Sequence, residues 1–311
     1  MSYEKNWLKL VLSWRGSVIG GIKYQLAVSM FIALIITVIY ENGYTGLSQP
    51  TLAGLIPGIV LGLLLVFRTN TAYERFWEGW QIAGMTIFTG RNLSRQMWMN
   101  IIVKNSEEQQ EKVAYLRLIA AFFVAMTQHL RRKRVDDNLK VLLIQEHYLE
   151  LKNVSNMPLK ITQWIGAYLT KQYTHQHIDS FQFAALNRLL DQLVECLSRC
   201  ERILNAPMPR AYSMHLRHLL ILYCFALPFQ MVKDLHWWTV PVVGVVAFAL
   251  FGIEAIGLEI ENPFGHDAND IPLDNLCRKL HNDIEELIAA DENAMPTASE
   301  AIATLPNSHV S

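Results

Sequence analysis

Leu52-Ala53-Gly54-Leu55-Ile56-Pro57-Gly58-Ile59-Val60-Leu61-Gly62-Leu63-Leu64-Leu65-Val66-Phe67, followed at once by Arg68, is the stretch on which the reading of this chain turns. It closes a run of 26 uncharged residues that starts after Glu41, and a membrane-crossing helix needs roughly 20 apolar residues. Three other uncharged runs accompany it: 17 residues between Lys23 and Glu41, then His218 to Val232, then Leu235 to Ile253. The first is at the lower limit of length and the third is short. Lys23, Arg217 and Lys233 stand at their ends, where a long basic side chain can reach back to water, and Trp237 and Trp238 stand where an interfacial aromatic anchor belongs. The expected spans are therefore 24–40, 52–67, 218–232 and 237–253. A further run, Leu118 to Leu130, has 13 uncharged residues closed by Arg131, Arg132, Lys133 and Arg134. It is too short to cross and reads as a buried helix outside the membrane.

Composition agrees. Hydrophobic residues make up 51% of the 311 and charged residues 18%, against about 25% charged in soluble domains. The competing reading is a large soluble helical protein with buried helices. A net charge of -1 gives no basic excess of the kind nucleic-acid binding requires, so no nucleic-acid partner is expected. Cys196, Cys200, Cys224 and Cys277 form no CxxC or disulfide-like pattern and fit a reducing compartment.

The distribution of charge orients the chain. Lys5, Lys9, Arg15 and Lys23 precede the first span against Glu4 alone, the loop from Glu41 to about Thr51 has no Lys or Arg, and Arg68 to His215 holds 19 Lys/Arg against 13 Asp/Glu. The positive-inside rule then places both termini and region 68–215 in the cytoplasm. With no cleavable leader pattern in view, the expectation is a multi-pass protein of the cell inner (plasma) membrane.

Outside the spans the pattern is helical: apolar residues recur at helical spacing over Glu107 to Arg134 and again over Phe181 to Leu204, with breaks at Asn153 to Pro158 and Asn205 to Pro209. The fold class is all-α, with almost no sheet. Residues 1–284 read as one domain. Residues 285–311, with Pro296, Pro306 and few large apolar groups at the far end, read as a partly disordered tail.

Four motifs narrow the field. Trp14-Arg15-Gly16-Ser17 precedes the first span, and Phe67-Arg68-Thr69-Asn70-Thr71-Ala72-Tyr73-Glu74-Arg75-Phe76-Trp77-Glu78 closes the second. Ala206-Pro207-Met208-Pro209-Arg210-Ala211-Tyr212 precedes the third, and Glu261-Asn262-Pro263-Phe264-Gly265-His266-Asp267-Ala268-Asn269-Asp270 follows the fourth. In this order and spacing the chain resembles the bestrophin family, above all its bacterial branch, from about Trp14 to Ile284. The resemblance implies a homopentamer with one ion pore on the fivefold axis. The second span lines a narrow hydrophobic neck, a cytoplasmic vestibule ends at an aperture, and monovalent ions, mostly anions such as chloride, permeate. In animal members an acidic loop after the fourth span forms a calcium clasp.

Ile59, Leu63 and Phe67 recur every four residues and share one helical stripe. Anchored on Arg75, they fall on the family's neck positions, and copies of them around an axis would form stacked apolar rings that gate by dewetting. Without the resemblance, packing against lipid or another span is the better explanation of the stripe. Gly54, Gly58 and Gly62 form an adjacent stripe of small residues, suited either to crowding around a pore or to packing within one subunit. Pro57 is expected to kink the same helix. Met208, pinned between two prolines, matches the aperture position, and Arg210 behind it would attract anions or simply be solvated. Asp267 and Asp270 coincide with clasp positions and are the oxygen donors Ca2+ prefers, but His266 and Ala268 stand where acids are frequent. A loop without metal, its Asp274 capping the next helix, is the alternative.

No cofactor is required by any motif, and no P-loop, GxSxG, HExxH or dinucleotide fingerprint occurs. A channel rather than an enzyme is expected, partnered by the lipid bilayer and by its own copies. A cation-selective channel of the same fold is the runner-up. A secondary transporter, which would more often show internal repeats, stands behind it.

Overall fold

The computed structural model describes residues 18–49, 54–103 and 105–294. The Trp14 to Ser17 motif, the basic residues Lys5, Lys9 and Arg15, the start of the expected second span at 52–53 and the end of the tail lie outside the described residues.

Among the described residues the chain is all-α, with no strand. The helices are α1 (Ile19–Glu41), α2 (Leu55–Asn100), α3 (Ser106–Leu130), α4 (Asp137–Leu142), α5 (Gln145–Leu151), α6 (Met157–Thr174), α7 (Ser180–Asn205), α8 (Arg210–Leu235), α9 (Thr239–Glu261) and α10 (Leu273–Ala294). They belong to two compact units. One comprises Met1–Gly79 with Asn205–Ile271, and the other Trp80–Leu204 with Pro272–Ser311. Helix α2 contributes its first half to one and its second half to the other.

In the first unit α1 packs against α8 and α9. Ile22, Leu61, Leu65, Leu216, Leu220, Cys224, Ala247 and Phe251 form its main core, and Ala33, Ala226, Leu227 and Val243 a second cluster. The described parts of the four expected spans lie on four of its helices, apart from Gly54, just ahead of α2, and Trp237 and Trp238, which form the turn before α9. Helix α8 removes the doubt over the short third run: it starts at Arg210 and has 26 residues, so residues ahead of His218 supply the missing length. Helices α1 and α9 have 23 residues each, enough for about 30 Å at 1.5 Å per residue. A tight turn at His236–Trp238 joins α8 to α9. His236 takes φ +49° there, and its Nδ1 lies 2.8 Å from Glu41 Oε1 at the end of α1. Trp237 and Trp238 are exposed beside it, as interfacial anchors would be.

Two details of α2 correct expectation. Pro57 is the third residue of the helix, in the first turn, where its missing N–H costs no intrahelical bond, so it does not kink the span. Gly58 lies against α8, where a Cβ would come within 2.9 Å of the Tyr223 hydroxyl, whereas Gly62 has open space around it. At Gly58 the small residue thus serves packing within the subunit.

In the second unit α3 is the central element. Asn105 caps it by accepting from Glu108 N–H at 2.8 Å, and Asp179 with Gln182 closes a reciprocal capping box at the start of α7. By length and composition alone α3 is apolar enough to cross a membrane, but 67% of its most apolar window is buried within the chain, against 28% for α1. This is the buried helix expected at Leu118 to Leu130, made longer by its polar first turns. Helix α10 buries Cys277, Leu280, Ile284 and Ile288 along one face and runs through the boundary expected at 284. Asp274 sits in its first turn and pairs with Arg131 at 2.8 Å. It is not the cap that the sequence suggested.

Candidate pore-lining segment

Over residues 59 to 68 helix α2 is two-sided. Leu61 and Leu65 are 2% and 1% exposed and face the core, while Ile59, Leu63 and Phe67 are 60%, 53% and 56% exposed. The structure therefore puts the three predicted neck residues on one outward stripe. Such a stripe of large apolar side chains needs a covering of lipid or of other copies of the chain. Past Phe67 it turns polar: Thr71 and Glu74 continue it at helical spacing, both exposed.

Behind the stripe lies a cluster of charges, of which the sequence reading placed only Arg217 at the end of a span. Arg68 is 0% exposed. Its guanidinium is 3.7 Å from Glu254 and 3.7 Å from Glu261, and none of its three nitrogens makes a direct hydrogen bond. Arg217 Nε donates to Glu254 at 3.0 Å. Glu261 also accepts from the Met208 N–H at 3.1 Å. Arg75 donates to the carbonyls of Glu261 and Ala206, and the Tyr212 hydroxyl donates to the Leu64 carbonyl at 2.8 Å. The outcome is a bonded frame that ties the inner face of α2 to the 206–209 turn, the start of α8 and the end of α9. The available signal was that Arg68 and Glu254 each end a long uncharged run, at places where opposite charges can meet.

Met208 does not have the surroundings of an aperture residue. It is 8% exposed, its flanking Pro207 and Pro209 are the exposed ones, and its backbone is held by Glu261. The two prolines do fix the local chain, but they turn the Met208 side chain into the core. Arg210 is exposed at the start of α8.

The acidic loop is closed by its own hydrogen bonds. Asp270 accepts from the Asp267 N–H at 2.6 Å, Asn269 donates to Glu259 at 2.9 Å, and Ile271 N–H donates to the Pro263 carbonyl at 3.0 Å. Among the described residues no three His, Cys, Asp or Glu side chains converge as a metal site. Of the two predicted calcium ligands, the Asp270 carboxylate is engaged by the Asp267 N–H within the loop. The cysteines offer no chemistry: burial raises the thiol of Cys196 and pushes that of Cys277 up to about 11, which keeps both protonated and unreactive. His177 is occupied by Gln172 at 2.8 Å.

Comparison with known proteins bears on the whole chain. The family model described as Bacterial/Fungal Bestrophin protein matches residues 1–286. A voltage-dependent anion channel-forming protein of Nostoc sp. is 47% identical over 290 residues, covering 93% of this chain and 94% of that protein. Its counterpart from Synechocystis sp. is 47% identical over 282 residues, covering 91% and 92%. The crystal structure of a bacterial bestrophin homologue from Klebsiella pneumoniae is similar with a TM-score of 0.79 at 26% identity, covering 86% of this chain and 98% of that one.

Proposed function

We infer the function of this chain from the family to which it belongs, the bacterial and fungal bestrophins: it is a membrane anion channel, like the relatives named for that activity. Its finer workings are proposed as follows. Five copies surround one pore, with Ile59, Leu63 and Phe67 of each copy turned to the axis as the neck. The observation that carries this is the outward apolar stripe of α2, backed by a buried, bonded inner face. The chain sits in the cell inner membrane with both termini cytoplasmic, supported by the basic surplus of region 68–215. The acidic loop works without calcium, held by its own hydrogen bonds, so chelation is expected to leave both melting and current unchanged. Native mass spectrometry of detergent-solubilised protein should show a pentamer. A stable monomer or dimer would remove the basis for the neck.

Selectivity is decided by electrophysiology. Purified protein in a planar bilayer under a NaCl gradient is expected to reverse near the chloride equilibrium potential. One feature favours the opposite sign: Glu74 is exposed on the continuation of the neck stripe, and a ring of carboxylates near a pore mouth concentrates cations. Reversal near the sodium potential would overturn anion preference, and a return toward the chloride potential in Glu74→Gln would then assign the effect to Glu74.

A further inference from the structure

A cavity of about 830 Å³ opens in the second unit where α3 ends and α6 begins. Its size is that of small-molecule sites, which run from about 300 to 1,000 Å³. Arg132, Lys133, Arg134 and Lys152 stand around it, no Asp or Glu lines it, and its apolar lining comes from Val135, Leu151, Val154 and Met157. Leu151 and Met157 are buried, while the four cations are exposed. A cationic rim above an apolar floor is a composition suited to an anion with an organic body.

Three observations set this apart from an ordinary solvated basic patch. First, three carboxylates close to this region are engaged elsewhere. Glu201 accepts from Asn156 at 3.1 Å and lies 2.7 Å from His129, Glu150 pairs with Lys160 at 2.6 Å, and Asp136 accepts from Gln128 and from the Leu139 N–H. Among the described residues the four rim cations make no ion pair. Lys152 only rests over the Tyr148 ring at 4.6 Å. Second, Ser155 and Met157, at the start of the 18-residue helix α6, line the cavity, and the positive potential of a helix start adds to that of the rim cations. Third, Arg132 holds φ +55°, the left-handed conformation in which a helix ending at this point ordinarily places glycine. A cationic side chain is kept there despite the strain of that conformation. Arg131, by contrast, is committed to Asp274 and serves the helix end.

We propose that this cavity binds a soluble phosphorylated ligand, a nucleoside diphosphate or a compound of that class, with its phosphates on the rim cations and its organic body on the apolar floor. Arginine and lysine are the usual partners of phosphate oxygens, and clustered unpaired cations favour a ligand with adjacent negative charges. The site is separate from the neck and does not depend on the channel's selectivity.

The test uses full-length protein in detergent, with binding as the readout, so its outcome is distinguishable from any failure of the channel assignment. Isothermal titration should detect adenosine diphosphate, and inorganic pyrophosphate more weakly because it lacks a body for the floor. Both affinities should fall as KCl is raised. The double variant Lys133→Glu/Lys152→Glu should melt as the parent does, keep its basal current and bind adenosine diphosphate at least tenfold more weakly. Should that variant fail to fold, Lys152→Gln alone should still weaken binding severalfold. The proposal is overturned if neither probe binds, or if affinity is unchanged in a folded variant. It is equally overturned if only vesicles containing phosphoinositides bind, which would make the ligand a lipid headgroup.

Discussion

Arg68→Met should lower the stability of the folded subunit by about 3 kcal/mol, at the low end of what breaking a buried ion pair costs. Methionine fills much of the volume but supplies no charge, and Glu254 and Glu261 are then left without the cation between them. The low end applies because Glu254 keeps Arg217 at 3.0 Å and Glu261 keeps the Met208 N–H at 3.1 Å. Thermal unfolding in detergent should show a clear drop in midpoint. The triple variant Arg68→Met/Glu254→Gln/Glu261→Gln should recover part of the loss, since removing a buried charge together with its partners is far cheaper than removing it alone. An Arg68→Met protein as stable as the parent would mean that the 3.7 Å approaches do not hold the frame together.

The four apolar runs and the two helical patterns of the 68–215 region were legible in the sequence because each depends on one-dimensional information: run length for the spans, spacing for the amphipathic helices. The third span was legible only in part, because the helix that carries it starts among charged residues at Arg210 and its length is not the length of its uncharged stretch. The neck stripe was legible as a stripe, and its outward orientation was not. Periodicity says which residues share a face and nothing about what that face meets. The charge frame was hidden for a related reason. Arg68 and Glu254 lie 186 positions apart in a chain of 311, and only the packing of α2 against α9 brings them together. The same effect spoils the charge count used for selectivity. Arg68, Arg75, Arg91, Arg117, Arg131 and Lys171 all belong to the basic surplus of region 68–215, yet each is bonded to a carboxylate or carbonyl or buried beside one. Met208 shows the limit of a motif match: the paired prolines constrain the backbone, but whether the side chain between them points outward or inward is settled by the surrounding core.

Replacing Ile59, Leu63 and Phe67 together by Ala is expected to raise single-channel conductance or open probability by on the order of tenfold, which corresponds to about 1.4 kcal/mol off the barrier to permeation. An ion entering a narrow apolar ring must shed water that the ring cannot replace, and such a constriction closes by expelling water before it closes sterically. Truncation to methyl groups widens all three rings at once and admits a hydrated ion. The inner face should tolerate the change, because the three side chains are more than half exposed within the subunit and the core contacts of Leu61 and Leu65 are untouched. A control at Leu61 separates the two faces. Leu61→Ala empties a buried site and should cost stability, about 2–5 kcal/mol for a core leucine, without the conductance gain. Currents unchanged in a triple variant that still assembles would place the barrier elsewhere, and the outward stripe would then be a surface for lipid.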